Sequence, residues 1–505
     1  MKAVNIMNFV RDIDERMENS KEILYQTTLA QLEMVNEFDF ENTFLLQYDV
    51  LCDERYVQLF KEKATNKTEL GLWYEIVEPL TTACGMPYES KYGWKWDWHI
   101  VPGYSMAYTP ADREKLADEA MRKFKEVFGY YTRTFAGWVI DTHTLQYLAQ
   151  NYDLDAVAIC RDQTNTDAYT LVGGYFNGAY YPSRNNIFTP AQTKEYQINV
   201  PVFRLLGPSP INNYDEHKYL SEKAIEFFGD HGCFTLEPVW KTGADPDCVD
   251  WFFSTFYENE DLDFSYSQLG QENSFAEDGF LPALRMQFEK LSKRRDVTVI
   301  KMGDTGRYFK NTYPDSTPAT AVTALENWDK DRDIQSVYYD CKNYMANLFR
   351  YENSIFLRAL YLFDERVADL YLEKQCASFD AVYENLPLVD TLFWTPSELK
   401  NCGLQLSAEG TAVTVEKYKE HGLQVSWNEG RVLFEEDRIT VSANELRLFT
   451  GKPNCTIKVV GNTIEYLYKN TAYYLDIENA AVKQDEECIL ITPYSEEVRL
   501  IPRRG

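Results

Sequence analysis

The sequence predicts an α/β fold, a (β/α)7-8 TIM-like barrel over residues 1–325, followed by an all-β sandwich over residues 326–505. Two patterns carry this. Short apolar runs that stop at ionisable residues alternate with helical periodicity over the first 310 or so residues, as parallel strands need when crossover helices cover both their faces. From about residue 334 the period drops to two, with Gly, Asn and Asp between the runs, as in antiparallel strands. The length of 505 residues also exceeds what one core usually holds.

In chain order, residues 4–10 form a first strand ending in Arg11, Asp12 and Asp14, and residues 20–38 a helix. Residues 43–48 form a second strand, closing on Asp49, and Asp53 caps a helix to about residue 64. Residues 69–74 form a third, closing on Glu75. Residues 79–108 read as a long binding loop containing GWKWDWH, and Thr109 with Pro110 starts a charged helix. The run 135–140 ends at Asp141, Thr142 and His143. Thr142 or Thr144 then caps a helix to Tyr152, and the run 156–160 ends in Arg161 and Asp162. An aromatic, glycine-rich loop spans 173–186. Further strands are predicted over 197–206, over 232–236 closing on Glu237 and Trp240, and over 297–302 closing on Asp304.

Composition narrows the function classes. A net charge of −28 repels phosphate backbones and anionic membranes, so neither nucleic acid nor a membrane is an expected partner. Ten cysteines are scattered without a CxxC pair, as buried thiols of a reducing compartment are. The amino terminus lacks a secretory apolar region and no run approaches a membrane span, so a cytoplasmic location is expected. Aromatic residues at 15% suit flat amphipathic ligands such as sugar rings, and equally suit large cores.

Three constellations could carry chemistry. Asp49, Glu75, Asp141, Glu237 and Asp304 each follow an apolar run, and in a barrel would face one mouth. Two such carboxylates can divide acid and base work, with roughly 5 Å between them for direct attack on a sugar and roughly 6.5–9.5 Å to admit a water. Any one of them could instead cap the next helix or pair with an arginine. In GWKWDWH, alternating Trp94, Trp96 and Trp98 could form a stacking platform, with His99 as a hydrogen-bond partner, or could plug the loop. His143, Tyr180, Trp240 and Asp304 are further substrate-binding candidates. The five histidines show no HxH or HExxH spacing, so no metal is read from the sequence, and nucleotide and serine-hydrolase motifs are missing.

ENTFLLQYD (41–49) resembles the "ATFF" strand of polysaccharide deacetylases and related barrel glycosidases, and TELGLWYE (68–75) resembles their "HEIGxH" element. The segment from Phe135 is similar to their substrate-binding strand, helix and following strand. The resemblance is to the glycoside hydrolase/deacetylase superfamily and implies an incomplete (β/α) barrel acting on an oligo- or polysaccharide. For the retaining glycosidases of that group it implies a strand-four nucleophile, Asp141, and a strand-seven acid, Glu237. The sequence departs from the deacetylases where their metal histidine would stand, at Trp73 and Tyr74, and at the first strand, where Asn8, Phe9 and Val10 replace an Asp pair. A glycoside hydrolase is the expectation. The alternatives are a deacetylase holding a divalent metal near Asp49, His99 or His143, and a carbohydrate-binding protein without catalysis.

Overall fold

The structure is a computed structural model. It describes residues 1–162, 169–170, 173–205, 207, 209–211, 236, 245–275, 277–328, 333–379, 381–383, 385–390, 403–451 and 455–505. Eight parallel strands lie in its first sheet: β1 (Lys2–Val10), β2 (Asn42–Leu46), β3 (Thr68–Trp73), β4 (Thr134–Ala136), β5 (Ala156–Cys160), β6 (Val202–Leu205), β7 (Ser265–Leu269) and β8 (Thr298–Val299). Seven form a continuous parallel series, β7-β1-β2-β3-β4-β5-β6. The short β8 lies beside the first residues of β1, on the edge that β2 occupies farther along, because Ala3 already pairs with Tyr266 on the other edge.

This is the expected α/β barrel, and it is incomplete. Among the described residues no ladder joins β6 to β7. The gap is filled from the 173–186 loop: Ala179–Tyr180 pairs antiparallel with β6, and the Asn177 side chain donates to the Tyr266 carbonyl at 3.0 Å. The rings of Phe203 and Tyr266 close the interior at 5.1 Å.

The helices begin where capping chemistry permits. Asp53 accepts from the Arg55 amide at the start of α2 (Glu54–Lys63), which follows α1 (Ser20–Glu37). Thr109 and Pro110 start α3 (Pro110–Phe128). At α4 (Thr142–Asn151) the cap is Asp141, not Thr142 or Thr144, because its carboxylate accepts the Thr144 amide at 3.0 Å. After α5 (Glu277–Leu291), the helix α6 (Met302–Thr312) crosses the amino ends of the strands. It is tied there by the Met302 amide to Thr43 Oγ1 (3.0 Å), the Gly303 amide to Glu69 Oε2 (3.0 Å) and Asn5 Nδ2 to Thr305 Oγ1 (2.7 Å). The opposite end, at the strands' carboxyl termini, is therefore the end where a site can form.

The antiparallel part begins with β9 (Thr320–Ala324), ahead of the expected boundary at residue 325, and continues through β10 (Ile334–Asp340), β11 (Tyr344–Tyr351) and β12 (Ser354–Leu362). β10 and β12 are buried along their whole length because their sheet is covered on both faces. Tyr338, Met345, Phe349 and Phe356 pack on the barrel, while Val337, Leu348, Ile355 and Leu357 face the second, eight-stranded sheet. A bulge at Arg358 keeps the faces in phase, so Ala359 and Tyr361 still meet the barrel. The outer sheet has one covered face and alternates accordingly, as in Thr456–Val460. The eight described cysteines are free thiols. Among the described residues no helix is long and apolar enough to cross a membrane.

Candidate active site

The mouth of the barrel is organised where β1 and β7 end. Gly270, just after β7, has φ +105°, and a Cβ there would lie 2.0 Å from the Met7 carbonyl oxygen, so only glycine lets the chain pass this close to β1. The Phe9 amide then donates to the Gln271 carbonyl, and Asn273 clamps the Arg11 backbone, accepting its N–H at 3.1 Å and donating to its carbonyl at 2.8 Å. These bonds set the Glu272 side chain against Arg11.

Arg11 is the centre of a buried ionic cluster. One of its nitrogens, Nη2, lies 2.9 Å from Glu272 Oε2 and 3.8 Å from Glu75 Oε2, while Nη1 lies 3.7 Å from Asp14 Oδ2. Glu75 comes from the end of β3 and is 2% exposed; Glu272 is 6% exposed. The Trp96 indole N–H donates to Glu75 Oε2 at 2.7 Å, and the guanidinium groups of Arg11 and Arg16 sit 4.3 and 4.5 Å from the Trp96 ring centre. Arg16 holds Asp14 through two bonds of 2.9 and 2.6 Å. Below the cluster Trp73 stacks on Phe9 at 4.3 Å and meets Trp138 edge-on at 5.1 Å.

These surroundings separate the carboxyls. Burial pushes Glu75 up from its ordinary value, against the pull of the Arg11 charge and the Trp96 hydrogen bond. Burial also acts on Asp14, but hydrogen bonding and charge from Arg16, with the charge of Arg11, outweigh it and hold its carboxyl low. Next to this cluster, burial and the Asp12 charge push Asp49 up to about 7, although its oxygens accept the amides of Asp12, Ile13 and Val50 at 2.8–2.9 Å.

The residues singled out from the sequence fall in different places. Glu75 and Asp49 are at the mouth with Trp96. Asp141 is fully buried and occupied on both oxygens, by Arg113 (2.8 Å) and the Thr144 amide on one and by the Ser105 and Thr144 hydroxyls on the other. Arg113 also donates to the carbonyls of Tyr371 and Lys374, so this pair pins a strap from the antiparallel part across the barrel. Asp304, expected at the mouth, lies instead in α6 at the opposite end and pairs with Arg307. Glu237 and Trp240 lie outside the described residues.

GWKWDWH does not form three indoles on one open face. Trp96 and Trp98 are buried, Trp94 is half-buried, and Asp97 fixes His99 through a 2.6 Å bond. His143 contacts Glu114 on α3 at 3.0 Å, and the buried Tyr180 hydroxyl donates to the Ile187 carbonyl. Glu272, Arg11 and Asp14 complete the cluster. Glu272 escapes sequence reading because β7, SYSQL, has no apolar run to mark it; the signal is the glycine of GQEN after it.

Among the described residues the donor set does not fit a metal. The histidines near the expected positions, His99 and His143, are held in the loop and on α4, Asp12 pairs with Lys21 at 2.9 Å, and both Asp49 oxygens are taken by amides. Among the described residues no group of three or more His, Cys, Asp or Glu could hold an ion.

No protein-family model matches the chain, and no curated protein matches it by sequence. Solved structures do. A glycoside hydrolase/deacetylase-like protein from Parabacteroides distasonis aligns with TM-score 0.51 at 13% identity, over 78% of this chain and 92% of its own. A polysaccharide deacetylase-like protein from Mycobacterium smegmatis aligns with TM-score 0.36 at 13% identity, over 62% of this chain and 91% of its own. The first likeness is one of fold, and it matches the barrel architecture the sequence resemblance implied.

Proposed function

We propose that the protein is a carbohydrate-active hydrolase, a glycosidase that uses Glu75 and Glu272 as its pair of carboxyls. The observation that carries this reading is that both contact the same nitrogen of Arg11 from the ends of two different barrel strands. The two oxygens are thus no farther apart than the sum of 2.9 and 3.8 Å, which favours the short separation of retaining enzymes, at about 5–5.5 Å, over most of the inverting range. Burial pushes the Glu75 carboxyl up from its ordinary value, which suits it to the role of the acid that protonates the leaving oxygen. Glu272, ion-paired to Arg11, is the nucleophile at the anomeric carbon. The retaining-enzyme resemblance implies a nucleophile after the fourth strand and an acid after the seventh. With β7 at Ser265–Leu269 the carboxylate after the seventh strand is Glu272, and the roles proposed here depart from the resemblance: Asp141 after β4 is taken up by Arg113, and Glu272 takes the nucleophile's role because it is ion-paired to Arg11. The neighbouring likeness to a glycoside hydrolase/deacetylase-like protein supports a sugar substrate, and the poor fit of the described donor set to a metal favours glycoside cleavage over deacetylation.

The test is reducing-end release from a panel of oligo- and polysaccharides by wild type, Glu75→Gln and Glu272→Gln, with proton NMR of the first anomer formed. Each variant is expected to lose activity by about 10²–10⁴-fold, with retention at the anomeric carbon. Full activity in both variants, or release of acetate without new reducing ends, would overturn the assignment.

A further inference from the structure

We infer that Tyr92, Trp94 and Phe379 form an aromatic platform that holds a pyranose chain at the rim of the barrel mouth; the choice of ligand rests on the proposed glycosidase reading. Most large apolar side chains here are buried, yet Tyr92 is 41% and Phe379 44% exposed. They come from distant parts of the sequence, Tyr92 from the barrel's tryptophan loop and Phe379 from the strap. The Ile100 amide joins the two segments by donating to the Phe379 carbonyl at 2.9 Å.

Their rings form one continuous surface. Trp94 lies 4.7 Å from Tyr92, Tyr92 lies 5.8 Å from His99, and His99 meets Phe379 edge-on at 5.4 Å. Lys91 places its ammonium 5.5 Å from the Tyr92 ring and 5.7 Å from the Phe379 ring.

Underneath, the platform leads directly to the carboxyls. Tyr92 stacks on Trp98 at 5.5 Å, Trp98 lies 6.1 Å from Trp96, and the Trp96 indole donates to Glu75. A chain bound on the outer rings would lie over the layer of buried indoles whose far end, Trp96, holds Glu75. Flat rings with polar edges match the C–H faces and hydroxyls of a sugar, and Lys91 supplies a donor for hydroxyl or carboxylate groups. A second copy of the protein is the weaker occupant. Three rings offer roughly 150–250 Å² each when fully covered, short of the roughly 800 Å² per partner of a stable dimer.

Affinity electrophoresis in gels containing glucomannan, xylan or polygalacturonate tests the platform, with Tyr92→Ala, Phe379→Ala and the double variant compared with wild type. Retardation by at least one polysaccharide is expected, weakened about tenfold by each single change and abolished by both, with a native circular-dichroism spectrum in every variant. Polygalacturonate preference would assign Lys91 to a carboxylate, and equal binding to neutral chains would assign it to hydroxyls. No retardation in any gel, undiminished binding by the double variant, or conversion of a dimer to a monomer by it on sedimentation would overturn the inference. Binding lost in the double variant without any bond cleavage by wild type would sink the glycosidase reading and leave the platform standing. Cleavage with undiminished binding would do the reverse.

Discussion

Replacing Asp141 by Asn separates a structural carboxylate from a catalytic one. A carboxylate poised in an open cleft can become an amide at little cost to folding. Asp141 is instead 0% exposed and is the anionic partner of Arg113, itself 0% exposed. Its Oδ1 accepts two N–H groups, so an Asn must keep its carbonyl oxygen there and turn its NH2 toward the Ser105 and Thr144 hydroxyls. Both hydroxyls can rotate to accept, but the buried Arg113 cation loses the carboxylate paired with it. Breaking a buried pair from one side costs about 3–5 kcal/mol, and loss of a charged hydrogen bond accounts for about 1.5–3 kcal/mol of that. Guanidinium unfolding followed by tryptophan fluorescence and far-UV circular dichroism measures the loss. Because Arg113 also holds the Tyr371 and Lys374 carbonyls, proteolysis of the strap should accelerate in parallel. An Asp141→Asn protein within about 0.5 kcal/mol of wild type and equally resistant to protease would refute the structural role and return Asp141 to the list of catalytic candidates.

The remaining predictions concern pH and the mouth. Burial raises Asp49 to about 7 and Asp369 to about 6, so each binds its proton more tightly folded than unfolded. Their contribution to stability is therefore complete below about pH 4, and is lost as pH rises through about 6 for Asp369 and about 7 for Asp49. Urea titrations across pH 4–8 should show this decline, with its lower part missing in Asp369→Asn; stability that rises over the whole window would contradict it. Gly270→Ala should prevent folding or cost more than about 4 kcal/mol, since its Cβ has backbone 2.0 Å away and the φ of +105° is strained for alanine; a soluble variant with wild-type melting would disprove the close approach of β7 to β1.

The barrel was legible because parallel strands covered on both faces must be apolar throughout, and β1, β2, β3 and β5 announce themselves in that way. β7 carries Ser265, Ser267 and Gln268 in buried positions, so its strand character comes from pairing with β1 and not from its own composition. Local pattern therefore puts a seventh strand at residues 232–236, of which only Leu236 is described, and points to Glu237 in place of Glu272. The acids after apolar runs were visible as a set, but a strand-end acid has the same local sequence whether it caps a helix, as Asp141 does, or stands in a cluster with arginine, as Glu75 does. The tryptophan loop likewise announced aromatic density without saying which rings would be covered. Arg16, coming from the loop after β1, covers Trp96 and Trp98.

By itself, then, the sequence determined the two architectures, their order along the chain and the placement of Asp49, Glu75 and Asp141 after barrel strands. Those properties depend on local periodicity and on which side chains can leave water. Only the tertiary structure decided which acids meet. Arg11, Glu75 and Glu272 come together because β1 lies between β7 and β2, with β3 next along the sheet, and that order is set by long-range pairing. Asp304 is carried to the far end because α6 packs across the amino termini of the strands. Residues separated by about 260 positions share a site through strand register, which no local pattern encodes.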